Sequence, residues 1–422
     1  MKNIAFFALS LVVAVCQAQT APEQWRADIE YLRTTLPARH PLFKTQPYAE
    51  QFQNSLNTLE QHLDGRSDLD IALEIQAILS APGDAHTRLD LIPLLQKTIP
   101  IPLGLGWYSD GVYVSGTTKR FQAILGKKIV KINGMDTDKA LEKVGRYVGL
   151  ENKYCLHKDG INWFRFPAAF RQAGVSASDT LLLTYEVQPG KLQNMKVFPI
   201  DPSNKADMQP AQIQPKDPDL RWQPLQYLFF VNWLEPEKVV YVQYNRCASR
   251  EMALASGDSL MAEQLPPFQP LADSIIFLMR QHPDAKLFFD LRFNNGGAAA
   301  DGVNFAKRIS ELPDINTKDR LFVAVNLYTF SSAVQIATVF QNGTKATLIG
   351  DAPAEKPNHY GEARSFTLPN SRLKVVHSTR FMQIMDGNPS ALEPDKVIEP
   401  SFDDFRNGRD PVLNYVRKYP KN

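Results

Sequence analysis

Three short segments of this chain carry residue types that could together perform nucleophilic catalysis. The first, Asn326-Leu327-Tyr328-Thr329-Phe330-Ser331-Ser332-Ala333, follows an apolar run and precedes a helical stripe, so its serines fall where a helix begins. Unsatisfied N–H groups and the helix dipole at such a start favour the negative charge that develops in acyl transfer. Serine is also a preferred N-cap, and by itself the turn reads as a capped helix start. The second segment, Asp290-Leu291-Arg292-Phe293-Asn294-Asn295-Gly296-Gly297, is an apolar strand running into a double-glycine turn. Glycines there allow the backbone to aim N–H groups at one point, which is what an oxyanion hole requires. The third, Pro82-Gly83-Asp84-Ala85-His86-Thr87-Arg88-Leu89, presents His86 in a loop beside small and acidic residues. An imidazole that titrates near neutrality suits a general base, although a single loop histidine is commonly plain surface.

The elements that must position these segments can be read from periodicity. Trp25, Ile29 and Leu32 form one helical stripe, Phe52, Leu56, Leu59 and Leu63 a second, and Ile71, Ile75, Ile78 and Leu79 a third that ends just before the histidine segment. These predict an N-terminal helical domain over residues 19–95. Short strands follow at Gly111-Val112-Tyr113-Val114 and Lys128 to Ile132, the latter ending at the turn pair Asn133-Gly134. From Lys238 the pattern alternates: strands at Val239 to Tyr244, Lys286 to Leu291, Leu321 to Val325 and Ala346 to Ile349, with helices through Leu271, Ile275, Leu278 and Met279 and from Ser331 to Gln341. That alternation predicts a layered α/β core over residues 238–422. The stretch 151–237 reads as strand-rich and then as an exposed, proline-punctuated connection.

Composition narrows the class. The 422 residues include 47 basic and 45 acidic side chains, a formal charge of +2 without long runs of one sign, so nucleic acid is not an expected partner. Met1-Lys2-Asn3 followed by an uncharged stretch from Ile4 to Val15 and then Cys16-Gln17-Ala18 reads as a secretory signal cleaved after Ala18, over residues 1–18. The stretch is too short for a permanent membrane span. A lipoprotein anchored through Cys16 is disfavoured by the bulky Val15 before it. Cys155 and Cys247 remain after cleavage, and the sequence leaves open whether they pair or stay separate thiols. Neither lies in a metal-ligand pattern with histidine, and no His-Glu-x-x-His run occurs, so no metal or other cofactor is expected. No Gly-x-Ser-x-Gly elbow surrounds Ser331, which argues against an α/β-hydrolase lipase or esterase.

Taken in order, the three segments resemble those of the tail-specific (C-terminal processing) serine peptidases and their tricorn-core relatives. Tyr360-Gly361-Glu362, Leu368-Pro369-Asn370-Ser371, Glu393-Pro394-Asp395 and Gly408-Arg409-Asp410-Pro411-Val412-Leu413 resemble that family's closing segments. The resemblance implies a multidomain α+β protein: a crotonase-like αβ peptidase core, preceded by the helical segment and a reduced PDZ-like module over residues 96–150. In that module Gly104-Leu105-Gly106-Trp107 looks like a carboxylate-binding loop for a peptide C-terminus. It implies Ser331 as nucleophile, Gly296, Gly297 and Ser332 as the oxyanion segment, and polypeptides, in many members their C-terminal tails, as substrates.

The general base is where the pattern divides. One branch of the family uses a lysine downstream of the serine, and Lys356 has a similar spacing. Its neighbour Glu355 would push its pKa the wrong way, and the glycines usual around that lysine are absent. The other branch uses a histidine, and the Gly83-Asp84-Ala85-His86-Thr87 loop resembles its loop, so His86 is the preferred base and Lys356 the alternative. Glu362 and Asp386 are candidates for an acidic third member by their places in the closing segments, and the role stays unassigned. A catalytically inactive homologue serving as a peptide-tail binding protein is the competing class.

Overall fold

This computed structural model describes residues 20–222 and 226–420; the expected signal segment, with Cys16, lies outside them. Three helices, Pro22–Arg39, Tyr48–Glu60 and Asp68–Ser80, form the N-terminal layer. The first opens on a proline in its first turn, and the third is capped by the Ser67 side chain accepting from Asp70 N–H. Their predicted stripes are all buried in one cluster, which also takes in Leu368, Leu373 and Val375 from late in the chain. Just after the histidine loop, Arg88–Leu89 pairs antiparallel with Lys374–His377. The helical layer is thus completed by one of the closing segments rather than by residues 19–95 alone.

A second body is an antiparallel sheet in the order Gly104–Tyr108, Gly111–Thr118, Lys128–Ile132, Leu181–Gln188, Lys191–Val197. Pro210–Gln212 adds to the edge of Gly111–Thr118. Asn133 and Gly134, both at positive φ, make the tight turn after Lys128–Ile132 that their sequence predicts. Two expectations are corrected here. Residues 104–108 form a strand, with a register shift between Gly104 and Leu105, and not a loop. One sheet also draws strands from both sides of position 150, so the boundary placed there cuts through a single hydrophobic cluster.

The third body is a six-stranded sheet ordered Phe229–Leu234, Val239–Tyr244, Lys286–Asp290, Leu321–Val325, Thr347–Gly350, Lys396–Val397, parallel except for the first pair. The three central strands from Val239 to Val325 are buried at every residue, as near-continuous apolar runs predict for a parallel sheet covered on both faces. Val240, Leu287, Phe289 and Val323 pack against helices Gln269–Gln281, Ala300–Ser310 and Ser332–Gly343. Tyr241, Phe288 and Phe322 pack on the other face against helix Pro411–Arg417.

The carboxyl ends of three adjacent strands, at Asp290, Val325 and Gly350, release the loops that carry Gly296, Ser331 and Glu355. Ligands of open parallel sheets bind outside such strand ends. The first loop is anchored by Arg292, whose guanidinium donates to both Asp410 oxygens at 2.7 Å and to Asp290 at 2.9 and 2.7 Å, all buried. This fork joins the glycine segment to Gly408-Arg409-Asp410, two stretches separated by more than a hundred residues. No helix among the described residues is long and apolar enough to cross a membrane.

Candidate active site

Ser331 is the residue immediately before helix Ser332–Gly343, and its backbone has φ 55° and ψ −123°. A non-glycine residue in that region is strained by roughly 1–3 kcal/mol and is held there by its surroundings. Its hydroxyl makes no capping bond to the helix, so the plain N-cap reading of this serine does not describe it. Ser332 is buried and is engaged differently, its Oγ donating to Gly297 O at 2.7 Å.

The glycine turn lies directly against the serine. Gly296 has φ 93°, and a Cβ on it would stand 2.8 Å from Ser331 Cβ and 2.9 Å from Phe330 O. Its N–H donates to Asn294 Oδ1 at 2.9 Å, so Gly296 contributes close approach and not an oxyanion donor. The N–H groups of Gly297 and Ser332, by contrast, donate no hydrogen bond among the described residues.

His86 is buried, and its ring stacks on Phe330 at a centroid separation of 4.6 Å. The loop is fixed by Asp84, which accepts from His86 N–H at 2.9 Å, from Thr87 Oγ1 and from His40 Nε2 at 2.8 Å. His40 Nδ1 accepts from Leu42 N–H, so its proton sits on Nε2 facing Asp84. Burial would raise the Asp84 pKa, but the hydrogen bonds from His40 and Thr87 hold it below the usual carboxylate value. Burial lowers the His86 pKa to about 4, which keeps the imidazole neutral as a base must be.

The residue that joins serine to histidine is Glu355. One of its oxygens, Oε2, accepts the backbone N–H of Ser331, and Oε1 lies 3.5 Å from His86 Nδ1. Glu355 is fully buried, and burial together with the nearby Glu151 raises its pKa well above the carboxylate range. The Ser331 hydroxyl forms no hydrogen bond to His86 or to Lys356 among the described residues. Catalytic hydrogen bonds are often long before substrate binds.

Glu151 ties the loops together. Its Oε1 accepts from Ala85 N–H at 3.2 Å and its Oε2 from Lys356 N–H at 3.0 Å. Burial raises its pKa to about 8 against these bonds, and Asp84 adds to the rise. Two residues earlier, Gly149 approaches so closely that a Cβ would meet Asp84 O at 2.2 Å. Asp84, His86 and Glu151 offer ligand atoms within 4.8 Å of one another, the spacing of a metal cluster. The carboxylates are, however, already engaged by N–H and O–H donors, which suits a hydrogen-bonded scaffold better than a coordination shell.

The remaining expected residues lie as follows. Lys356 enters through its backbone, and it is the neighbouring Glu355 that faces Ser331. Glu362 pairs with Arg380 at 2.9 Å on the surface and Asp386 is exposed, so neither candidate acid reaches the site. Cys155 and Cys247 are both free and buried; Cys155 Sγ donates to Ala354 O and Cys247 Sγ to Asn294 Oδ1. Burial pushes these thiols up to about 11 and 12, far from the thiolate range.

Beside the serine turn, a cavity of about 530 Å³ opens between the antiparallel sheet and the parallel core, lined by Gly106, Trp107, Arg221, Phe293, Tyr328 and Asp351 among others. Arg221 is buried and forms no ion pair or side-chain hydrogen bond among the described residues; its cation lies over the rings of Trp222 and Phe293. Burial and the neighbouring Arg292 lower its pKa. Burial, with Glu399, pushes Asp351 up to about 7.

No family model matches the sequence, and no curated protein matches it. Among solved structures, a point mutant of CPAF superposes with a TM-score of 0.60 at 11% identity, covering 95% of this chain and 99% of that one. Mature CPAF complexed with lactacystin gives 0.56 at 13% identity, with 94% and 98% covered. The photosystem II D1 C-terminal processing protease gives 0.38 at 13%, with 90% and 93% covered. At such identities a likeness speaks for architecture alone. Over nearly its whole length, this mixed α/β chain has the fold of CPAF.

Proposed function

We propose that this protein is an exported serine peptidase that cleaves polypeptides through an acyl-enzyme, with Ser331 as nucleophile, His86 as general base and Glu355 as the acid that orients His86. The observation that carries this reading is the Glu355 carboxyl group, which reaches the Ser331 backbone with one oxygen and faces His86 Nδ1 with the other. With the His86 proton on Nδ1, its Nε2 is free to take the Ser331 hydroxyl proton. Ser331 Oγ then attacks the peptide carbonyl, and the unengaged N–H groups of Gly297 and Ser332 receive the oxyanion. His86 returns the proton to the leaving amine, and water releases the acyl group. The parallel sheet is read as the crotonase-like core and the antiparallel sheet as the PDZ-like module. The cavity beside the serine turn is then the place for a substrate tail, its carboxylate on Arg221, because an unpaired buried guanidinium is costly until an anion joins it.

A fluorophosphonate probe followed by peptide mass mapping tests the nucleophile: labelling at Ser331, lost in Ser331→Ala together with peptide hydrolysis, is expected. Hydrolysis that survives Ser331→Ala would refute the assignment. A peptide-tail receptor without catalysis is the second reading, favoured by the absence of a Ser331 hydroxyl bond to His86; it requires tail binding with no labelling.

A further inference from the structure

Glu355 faces a second imidazole. His359 Nε2 lies 3.9 Å from Glu355 Oε1, on the same oxygen that faces His86 Nδ1 at 3.5 Å. The two rings are nearly parallel, 11° apart, with centroids separated by 5.8 Å. All three atoms, His86 Nδ1, Glu355 Oε1 and His359 Nε2, are buried and without a hydrogen-bond partner. Buried polar atoms are rarely left so, and three around one point call for an account of where their protons sit.

The tautomer of His359 follows from its other nitrogen. His359 Nδ1 lies 3.0 Å from Lys356 O and 3.2 Å from Pro357 O, and both can only accept. Nδ1 therefore carries a hydrogen, and the open question is whether Nε2 does. Within ion-pair distance of Glu355 the described residues offer the two histidines and no lysine or arginine. Lys158 is near, but its ammonium sits 4.1 Å over the Phe330 ring and 3.8 Å from Asp159. The other groups facing the pair are Asp84 and Glu151, both acidic. A bare Glu355 carboxylate here would be a fully buried anion beside two further acids.

We propose that Glu355 and His359 share one proton, and that His359 is a positioning residue which lets Glu355 present a carboxylate to His86 without releasing a proton to solvent. Two arrangements hold the same atoms: protonated Glu355 with neutral His359, or ionised Glu355 with His359 protonated at Nε2. Oε1 and Nε2 stand 3.9 Å apart, so passing between the two requires them to close to hydrogen-bond distance; the Oε1–H bond then breaks as Nε2–H forms, with no change in net charge. When His86 takes the Ser331 proton, the second arrangement places the carboxylate against the new imidazolium. The inference rests on the triad reading for its catalytic meaning, but the shared proton itself does not depend on it.

The first test is ¹⁵N NMR of imidazole-labelled full-length Ser331→Ala protein. His359 Nε2 should show a shift between the protonated and bare limits, moving to the bare limit in Ser331→Ala/Glu355→Gln. A bare Nε2 signal at all pH values, unchanged by Glu355→Gln, would overturn the proposal whether or not the protein is a peptidase. The second test is the pH profile of kcat/KM in His359→Gln, whose amide can donate to Glu355 but cannot carry its proton. Glu355 must then lose its proton to solvent, so the acid limb should move up by at least about one pH unit, with activity recovered at higher pH. A uniform loss at every pH, or a profile like that of the unaltered protein, would reduce His359 to a structural hydrogen-bonding residue. Failure of the triad reading would appear separately, as activity that survives Ser331→Ala.

Discussion

Glu355 holds Ser331 by its backbone N–H and not by its hydroxyl. The carboxyl group thus fixes the strained turn that carries the proposed nucleophile, and the same side chain points its other oxygen at the proposed base. Replacing it should therefore injure both geometry and charge. Glu355→Gln keeps an acceptor for Ser331 N–H but cannot become an anion. We expect kcat to fall by about 10²–10⁴, with KM little changed, in steady-state peptide cleavage.

The choice between the two candidate bases has a direct comparison. His86→Ala should lower kcat by about a thousandfold or more, and Lys356→Ala by less than about tenfold, since Lys356 contributes a backbone N–H to Glu151 that alanine retains. The reverse order in purified, folded variants would return the base to Lys356.

Gly296→Ala should be silent in binding assays but damaging at the serine. The new Cβ would stand 2.8 Å from Ser331 Cβ, and the backbone at φ 93° disfavours any side chain. A stability loss on the order of 1–3 kcal/mol by denaturant titration, with near-complete loss of fluorophosphonate labelling, is expected.

Arg221→Met tests the cavity. If a substrate carboxylate joins Arg221, KM for free-acid peptides should rise by about tenfold with kcat nearly constant, and C-terminally amidated peptides should be indifferent to the change. Equal effects on both peptide forms would place the carboxylate elsewhere.

Two buried groups give stability opposite pH dependences. The folded-state pKa of Glu151 is raised to about 8, so the folded chain binds more protons than the unfolded one and its stability falls as pH rises through that value. His86 is lowered to about 4, so its contribution falls as pH drops from the ordinary histidine range toward 4. Glu151→Gln should flatten the decline expected in thermal unfolding as pH rises from about 5 to 8, whatever its effect on absolute stability. For catalysis, kcat/KM should persist below pH 6 and fail only toward about pH 4.

How far the sequence spoke for the site depended on distance along the chain. Ser331, Gly296, Gly297 and His86 each stand in a local pattern, strand into turn into helix or helix into loop, that periodicity and turn chemistry reveal. Glu355 has no such pattern. Its role is defined by Ser331 and by His86, and beside Lys356 it looked only like a carboxylate that would disturb a lysine. Arg221 is likewise meaningful only because the fold buries it with no ion pair among the described residues. The core strands were legible because parallel strands are apolar throughout. Gly104 to Trp107 was misread as a loop because glycines at a register shift and glycines in a turn look alike in sequence.

The bridge made by Glu151 has a consequence for how the protein comes into being. It receives N–H groups from Ala85 and Lys356, so the proposed base and nucleophile are aligned only once residues from the first quarter and the last fifth of the chain have met around it. During synthesis the histidine loop emerges long before the serine turn, and contacts of such long range form late. A half-made chain still on the ribosome therefore holds only unaligned fragments of the proposed machinery. On the proposed reading it stays chemically silent toward itself and its neighbours until folding is complete.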